Sequence, residues 1–141
     1  MIDTSLIEKY EGYKAEPYLC PAGKATIGFG TTFYEDGTPV KLSDKPISIA
    51  RARELVKWYC ENKIQYPRDD LNENQKSALC SLIYNVGQGA FNRSKCKKAI
   101  EAGDWQTAYK EWDWVTANGR IMPGLVLRRQ EEKRLFFEGI N

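Results

Sequence analysis

Two sequence patterns follow each other along this chain, and their order restricts the folds open to it. Residues 13–42 are rich in glycine, proline, threonine and aromatic residues, whereas the sequence from residue 48 onward follows a helical period. Short apolar segments between Gly- and Pro-containing turns indicate strands, and apolar residues spaced by three and four indicate helices. We therefore expect an α+β fold, mostly helical, with a small antiparallel sheet near the N-terminus.

Capping and terminating residues predict the element boundaries. Asp3, Thr4 and Ser5 offer N-caps for a helix over residues 4–11, which Gly12 ends. The sheet is predicted to contain about three strands, at residues 18–20, 25–29 and 31–34, with turns at residues 21–24 and 36–37. Further helices are predicted from Ser48 to about Gln65, from the capping box of Asn72 and Gln75 to Val86, and near residues 94–102, 105–115 and 123–138.

Length and composition describe one globular domain over residues 1–141. Of these residues, 42% are hydrophobic and 28% are charged. No segment approaches the uninterrupted apolar run of about 20 residues that a membrane span requires. The N-terminal residues lack the basic start and apolar core of a secretory signal, so we expect the protein to stay in the cytoplasm that makes it.

Residue usage excludes several classes of function. The chain contains no histidine, and its four cysteines form no Cys-x-x-Cys pair, so we expect neither a metal site nor a cofactor. The absence of histidine also excludes Ser-His-Asp and Cys-His catalysis. The net charge is +2 and no basic stripe interleaves with exposed aromatics, so nucleic acid is not an expected partner. An enzyme of this composition must use carboxylates, hydroxyls, thiols or lysine.

Glu11 is a candidate general acid because it lies at the end of the first predicted helix. The partial negative charge of a helix C-terminus and the apolar neighbours Ile7 and Tyr10 favour the protonated carboxyl group. General acid catalysis near neutral pH needs that form. An exposed glutamate at a helix end is also an ordinary structural residue, so position alone does not separate the two interpretations.

Cys20 and Thr26 lie at the end of one predicted strand and on the next. Their thiol and hydroxyl groups can converge near Glu11, although a small strand residue and simple β propensity explain each of them alone. The spacing Glu11-x8-Cys20-x5-Thr26, which runs into Ile27-Gly28-Phe29-Gly30-Thr31, resembles the active-site signature of the phage-type lysozymes, the muramidase endolysins. Later segments at residues 75–91, 103–114 and 124–136 resemble the same family in the same order.

The resemblance implies an enzyme that hydrolyses the β-1,4 bond between N-acetylmuramic acid and N-acetylglucosamine in peptidoglycan. It assigns Glu11 the role of general acid and gives Cys20 and Thr26 the task of positioning or activating water. Cys20 stands where aspartate is commoner, so it would act as a thiolate base, a positioner of water or a nucleophile. Lys24, in the following turn, would favour the thiolate.

The resemblance also implies a lysozyme-like fold with a cleft between two lobes. The sheet lobe is expected at about residues 13–47 and the connecting helix at about 48–66. The helical lobe is expected at about 67–141, together with the N-terminal helix. Tyr84 and Asn85 are expected to line the saccharide site, and Gly28 and Gly30 to let substrate approach the strand backbone.

Charged residues occupy an unexpected face of the last predicted helix. Arg128, Arg129 and Glu132 share this face with apolar residues, so we expect buried charges that need partners. Either arginine would pair with Glu132 or with Glu11, and an ordinary solvated salt-bridge face is the alternative. Cys60, Cys80 and Cys96 fall on or beside apolar helix faces and are expected to be buried thiols.

The expected partner is the glycan strand of peptidoglycan, and the protein is expected to bind it as a monomer. The protein would wait in the cytoplasm of a bacterial host and reach the periplasmic wall after a membrane-permeabilising holin acts. Two other functions fit the same residues. A lytic transglycosylase would use one glutamate for both proton transfers, and a non-catalytic wall-binding phage protein would carry Cys20 as the mark of a decayed site.

Overall fold

The computed structural model describes residues 2–140, which contain seven α-helices and two antiparallel sheets of two strands each. The helices are α1 (Ser5–Glu11), α2 (Ile49–Asn62), α3 (Glu73–Val86), α4 (Gln88–Asn92), α5 (Lys95–Ala102), α6 (Trp105–Glu111) and α7 (Pro123–Phe137). The strands are β1 (Lys14–Leu19), β2 (Ala25–Gly28), β3 (Thr116–Ala117) and β4 (Arg120–Ile121). The predicted α+β class, mostly helical with a small N-terminal sheet, is confirmed.

The chain divides into two compact units. The sheet unit comprises Ile7–Lys63, and the helical unit comprises Met1–Leu6 and Ile64–Asn141. This division differs from the expected lobes in two ways. The first helix is split after Leu6 instead of lying wholly with the helical part, and α2 belongs to the sheet unit instead of forming a separate connector.

Side-chain caps start the longer helices where the sequence predicts them. The Ser48 hydroxyl accepts a hydrogen bond from the Arg51 backbone N–H at 3.1 Å. At α3, the Asn72 side chain accepts from the Gln75 N–H at 2.8 Å, and the Gln75 side chain accepts from the Asn72 N–H at 3.0 Å. These bonds satisfy N–H groups that a helix leaves without partners in its first turn. At the other end, α2 stops at Asn62, shorter than expected.

The third predicted strand, at residues 31–34, is wrong. Only isolated bridges form there, between Ile27 and Thr31 and between Phe33 and Pro39. Gly30 adopts a φ of 95°, which turns the chain sharply before Thr31. The Thr38 N–H donates to Asp36 Oδ1 at 3.0 Å instead of across to Tyr34, so the Phe33–Pro39 pairing does not extend into a ladder.

The predicted extension of α6 to residue 115 is also wrong. The helix ends at Glu111, and the β3–β4 hairpin follows it. Asn118 and Gly119 form the hairpin turn with positive φ angles of 53° and 76°. An Asn-Gly pair between strands is a strong hairpin signal, which the helical interpretation of this segment overlooked.

Each unit buries its own apolar residues. In the sheet unit, the buried face of α2 packs on β2. The buried apolar residues of this unit include Ile7, Ile27, Phe29, Val40, Ala52, Leu55, Val56 and Cys60. Those of the helical unit include Ala78, Leu79, Leu82, Phe91, Cys96, Ile100, Ala108, Trp112 and Phe136. Within residues 2–140, no helix has the length and apolar character that a membrane crossing needs.

Candidate active site

The β1–β2 hairpin fixes the relative positions of the candidate residues in the sheet unit. Tyr18 on β1 lies directly opposite Thr26 on β2. Beyond the paired residues, the Cys20 N–H donates to the Lys24 carbonyl at 2.9 Å, and the Gly23 N–H donates to the Cys20 carbonyl at 2.8 Å. Cys20 is therefore held where the strand enters the turn.

The turn backbone creates an environment that favours the thiolate of Cys20. Hydrogen bonding by the Lys24 backbone is the largest influence, and it lowers the pKa of the Cys20 thiol below its usual value. The Thr26 hydroxyl and the Ala22 backbone add to this lowering, while partial burial opposes it. The thiolate is the reactive form of cysteine. Lys24, expected to help Cys20, thus acts through its backbone.

Thr26 contacts both its neighbour in the turn and the thiol. Its side chain is buried, and its Oγ1 donates a hydrogen bond to the Lys24 carbonyl at 2.9 Å. The same hydroxyl lies within hydrogen-bonding reach of Cys20. A hydroxyl has one proton and two lone pairs. Thr26 can therefore accept from a neutral thiol, or turn its proton from the Lys24 carbonyl to a thiolate.

Tyr18 links Glu11 electrostatically to the hairpin. Glu11 is the last residue of α1 and is half-buried. Burial raises the pKa of the Tyr18 hydroxyl above its usual value, and the negative charges of Glu11 and then Cys20 raise it further. Both groups are therefore close enough to influence Tyr18, which brings the acid candidate and the thiol to one neighbourhood.

Sequence analysis did not single out Tyr18, although the signal for it is present. Residues two apart on a strand project from the same face, and Tyr18 precedes Cys20 by two residues. Its cross-strand partner is Thr26. The strand pattern alone thus places Tyr18 among the site residues.

The close approach observed at Gly28 is made by helix α2. Gly28 has a φ of 67°, and a Cβ built on it would lie 3.0 Å from the Cβ of Ala52 and 3.3 Å from Cδ1 of Ile47. Packing within the sheet unit explains this glycine without a ligand. Gly30 is half-buried and shapes the turn before Thr31. Substrate contact at Gly28 and Gly30 stays a prediction.

Glu132 is paired with both arginines of α7 in the helical unit. Arg129 Nη2 donates to Glu132 Oε2 at 2.9 Å, and its Nε makes an ion-pair contact with Oε1 at 2.7 Å. Arg128 Nε lies 3.4 Å from Glu132 Oε2. All three residues are at most 3% exposed, so the solvated-face alternative is wrong. The expected pairing is confirmed, while a supporting role in catalysis stays a prediction.

Neutral donors complete the surroundings of the Glu132 carboxylate. The Ser81 hydroxyl donates to Oε2 at 2.5 Å, and the Trp112 indole N–H donates to Oε1 at 3.1 Å. Arg129 also donates to the carbonyl of Trp114 at 3.2 Å. A buried charge needs such partners because burial removes its hydration. The network joins α3, the segment after α6, and α7.

The remaining candidates lie at the end of α3. Tyr84 is half-buried and Asn85 is exposed. The exposed amide is accessible to a ligand, and a saccharide-binding role for both residues stays a prediction. Cys60, Cys80 and Cys96 are buried and form no disulfide, as expected. Among residues 2–140, no three His, Cys, Asp or Glu side chains are grouped to hold a metal ion.

Comparison with known proteins decides the family. The sequence matches the phage lysozyme family over residues 8–132. The chain belongs to this family. The match includes Glu11, Cys20 and Thr26, together with the buried network around Glu132. This phage lysozyme is therefore an enzyme, a peptidoglycan hydrolase of the endolysin type.

Two endolysins and one solved structure match this phage lysozyme along nearly their whole length. The endolysin of Acyrthosiphon pisum secondary endosymbiont phage 1 is 34% identical over 137 residues, covering 93% of this chain and 92% of the relative. The endolysin of Salmonella phage P22 is 32% identical and covers 92% and 91%. The crystal structure of a mutant P22 lysozyme matches with a TM-score of 0.75 and 30% identity, covering 97% and 99%. The lysozyme-like fold is confirmed by this likeness.

Proposed function

We propose that this phage lysozyme hydrolyses the β-1,4 bond between N-acetylmuramic acid and N-acetylglucosamine, with Glu11 as the general acid. Cys20 and Thr26 would position and activate the attacking water. The observation that carries this assignment is the geometry of the β1–β2 hairpin, in which the Cys20 N–H and the Thr26 hydroxyl both donate to the Lys24 carbonyl. The thiol and the hydroxyl therefore lie at the same turn, and burial and then the charges of Glu11 and Cys20 raise the pKa of the neighbouring Tyr18. An acid and a second group that can accept a proton from water are the two components that glycoside hydrolysis by inversion needs.

In the proposed reaction the protons balance within the site. The Glu11 carboxyl group donates its proton to the glycosidic oxygen as the bond to the anomeric carbon breaks. Water adds to that carbon and loses a proton to the Cys20 thiolate, while the Thr26 hydroxyl orients the water. The products leave Glu11 ionised and Cys20 neutral, and proton exchange with solvent restores both groups.

The test of the acid is Glu11→Gln, with Glu8→Gln as the matched control on the same helix. Glu8 makes an ion pair with Arg53 at 2.8 Å and has no proposed catalytic role. Glu11→Gln should remove lysis of outer-membrane-stripped Gram-negative cells while its circular dichroism spectrum stays unchanged. Glu8→Gln should lyse the cells at close to the wild-type rate. A folded Glu11→Gln variant that lyses within a few-fold of wild type would refute the assignment.

The role of Cys20 is tested by two substitutions. Cys20→Asp should keep substantial activity because a carboxylate can also accept a proton from water. Cys20→Ala should lose most activity because nothing would then activate the water. An alanine variant near wild-type activity would leave Cys20 as a packing residue.

Product analysis separates hydrolysis from lytic transglycosylation. A reducing-end muramic acid supports hydrolysis, whereas a 1,6-anhydro sugar would identify a transglycosylase. The anomer formed first distinguishes the remaining roles of Cys20, since an activated water inverts the configuration and a sulfur nucleophile retains it.

We further propose that the enzyme acts as a monomer on glycan strands of the bacterial wall. It would be held in the host cytoplasm until a holin opens the inner membrane and would then act in the periplasm. Lysis timing that depends on a co-expressed holin would support this sequence of events, and lysis without one would contradict it.

A further inference from the structure

Tyr18 lies among the proposed catalytic residues but has no role in the reaction described above. It stands opposite Thr26 in the β1–β2 pairing and two residues before Cys20. Directly paired residues of antiparallel strands share a face, as do residues two apart on one strand. Tyr18 therefore belongs to the face that carries the thiol and the hydroxyl.

The Tyr18 hydroxyl differs from other tyrosine hydroxyls of the sheet unit. Tyr13 donates to the Ile47 carbonyl at 2.5 Å, and Tyr34 donates to Asp44 Oδ2 at 2.6 Å. Within residues 2–140, the Tyr18 hydroxyl makes no hydrogen bond to another residue. The phenol therefore has its full donor and acceptor capacity available to a ligand.

Tyr18 is one of the residues that line an open cavity of about 540 Å³. Its aromatic face is covered by Lys14, whose Nζ lies 4.3 Å from the ring centroid. A cation–π contact of this kind stabilises the observed placement of the ring. The cavity is lined by Lys14, Ala15, Glu16, Pro17, Tyr18 and Pro46. Its mixture of an aromatic ring, charged groups and apolar rings suits a polar ring-shaped ligand such as a sugar.

The charge environment keeps the phenol protonated. Burial and the negative charges of Glu11 and Cys20 raise the pKa of Tyr18 above its usual value. At neutral pH the hydroxyl is consequently a neutral donor, whatever the ionisation of its neighbours.

We propose that Tyr18 is a further substrate-contacting residue, whose hydroxyl donates a hydrogen bond to an N-acetylated sugar bound between the cavity and the Glu11–Cys20–Thr26 group. The inference rests on the proposed function, since it takes the glycan strand as the ligand. In this proposal Tyr18 binds the sugar directly, whereas Cys20 and Thr26 act on the attacking water.

The test is Tyr18→Phe, which removes only the hydroxyl and keeps the ring beneath Lys14. With soluble peptidoglycan fragments, we expect kcat/KM to fall about tenfold, which is the usual effect of one lost hydrogen bond to substrate. The thermal midpoint should stay unchanged because no hydrogen bond within the protein is lost. Since the phenol is neutral throughout, the loss should be the same across about pH 6 to 8.

Tyr34→Phe is the matched control. It removes a hydrogen bond to Asp44 and should lower the thermal midpoint while kcat/KM stays at the wild-type value. A Tyr18→Phe enzyme within twofold of an active wild type would overturn the inference. So would a loss that varies with pH, since the hydroxyl would then act by changing the ionisation of Glu11 or Cys20. A wild type without activity on glycan would refute the proposed function itself.

Discussion

Substitution of Gly28 by alanine separates a packing role from a substrate-binding role at this position. The backbone of Gly28 has a φ of 67°, in the left-handed region. An added Cβ would lie 3.0 Å from the Cβ of Ala52, a distance that requires the strand or α2 to move. Ala52 is a buried residue within a helix, so the neighbouring atom cannot turn aside as the end of a flexible side chain would.

Two effects set the expected loss of stability. A left-handed conformation costs a residue with a side chain about 1–2 kcal/mol. Overpacking of a filled interior costs about 1–3 kcal/mol more. We therefore expect Gly28→Ala to lower the free energy of unfolding by about 2–5 kcal/mol, and the thermal midpoint by about 4 °C for each kcal/mol.

The matched control is Gly37→Ala. Gly37 also has a positive φ, of 87°, but a Cβ there meets nothing within 4 Å. The Gly37→Ala variant should lose only the backbone contribution to the free energy of unfolding, about 1–2 kcal/mol. Thermal unfolding followed by circular dichroism measures both variants. Equal midpoints for the two variants would refute the packing argument.

A second pair of measurements tests the origin of the Gly28 effect. Ala52→Gly removes the opposing Cβ, so the double variant should recover stability relative to the sum of the single changes, by about 1 kcal/mol or more. If Gly28 serves packing alone, kcat/KM of the folded Gly28→Ala enzyme should match that of the wild type at low temperature. A large loss of kcat/KM in the folded variant would instead support the predicted contact with substrate.

The other predictions concern buried charge and thiol reactivity. Glu132→Gln should destabilise the protein by about 3–5 kcal/mol in urea unfolding because two buried arginines lose their counter-ion. Asp70→Asn should change stability by less than about 1 kcal/mol because its pair with Arg68 is at the surface. Similar losses of stability in the two variants would contradict this distinction. Alkylation of Cys20 should accelerate with rising pH and level off at a lower pH than alkylation of an ordinary exposed thiol, since hydrogen bonding by the turn backbone lowers the pKa of Cys20. Cys96, whose pKa burial raises to about 12, should stay unmodified until the protein unfolds. Mass spectrometry of the labelled peptides measures the alkylation of both cysteines. A pH midpoint for Cys20 alkylation at or above that of an ordinary thiol would contradict the proposed lowering of its pKa by the turn backbone.

The sequence predicts those parts of the fold that local chemistry controls. The start of helix α3 at Glu73 is predictable because Asn72 and Gln75 form a capping box that is visible as a residue pair. Helix α7 begins at a proline, which is suited to a first turn. Helix α4, with five residues, is too short to show a helical period and follows directly on Gly87. The β3–β4 hairpin has its own signal in Asn118-Gly119, but a helical continuation of α6 through Trp112 also fits the apolar spacing.

Only part of the candidate site could be predicted from the sequence, and the reason is physical. The spacing of Glu11, Cys20 and Thr26 is visible along the chain, and strand pairing can be inferred from it. The largest influence on the pKa of Cys20 is a backbone group of Lys24, whose direction depends on the turn conformation and not on the identity of the side chain. Likewise, the contact of Gly28 with Ala52 joins residues in different elements, which no local pattern specifies.

The position of Glu132 has a consequence for the order in which the protein folds during synthesis. Its partners Ser81 and Trp112 precede it by 51 and 20 residues. Until α7 emerges from the ribosome, the hydroxyl and the indole N–H have no carboxylate to bind, and enclosing them early would leave polar groups unsatisfied. A nascent chain that ends before α7 should therefore keep α3 and the segment after α6 open to water. We therefore expect the helical unit to close around these groups only after α7 supplies the acceptor.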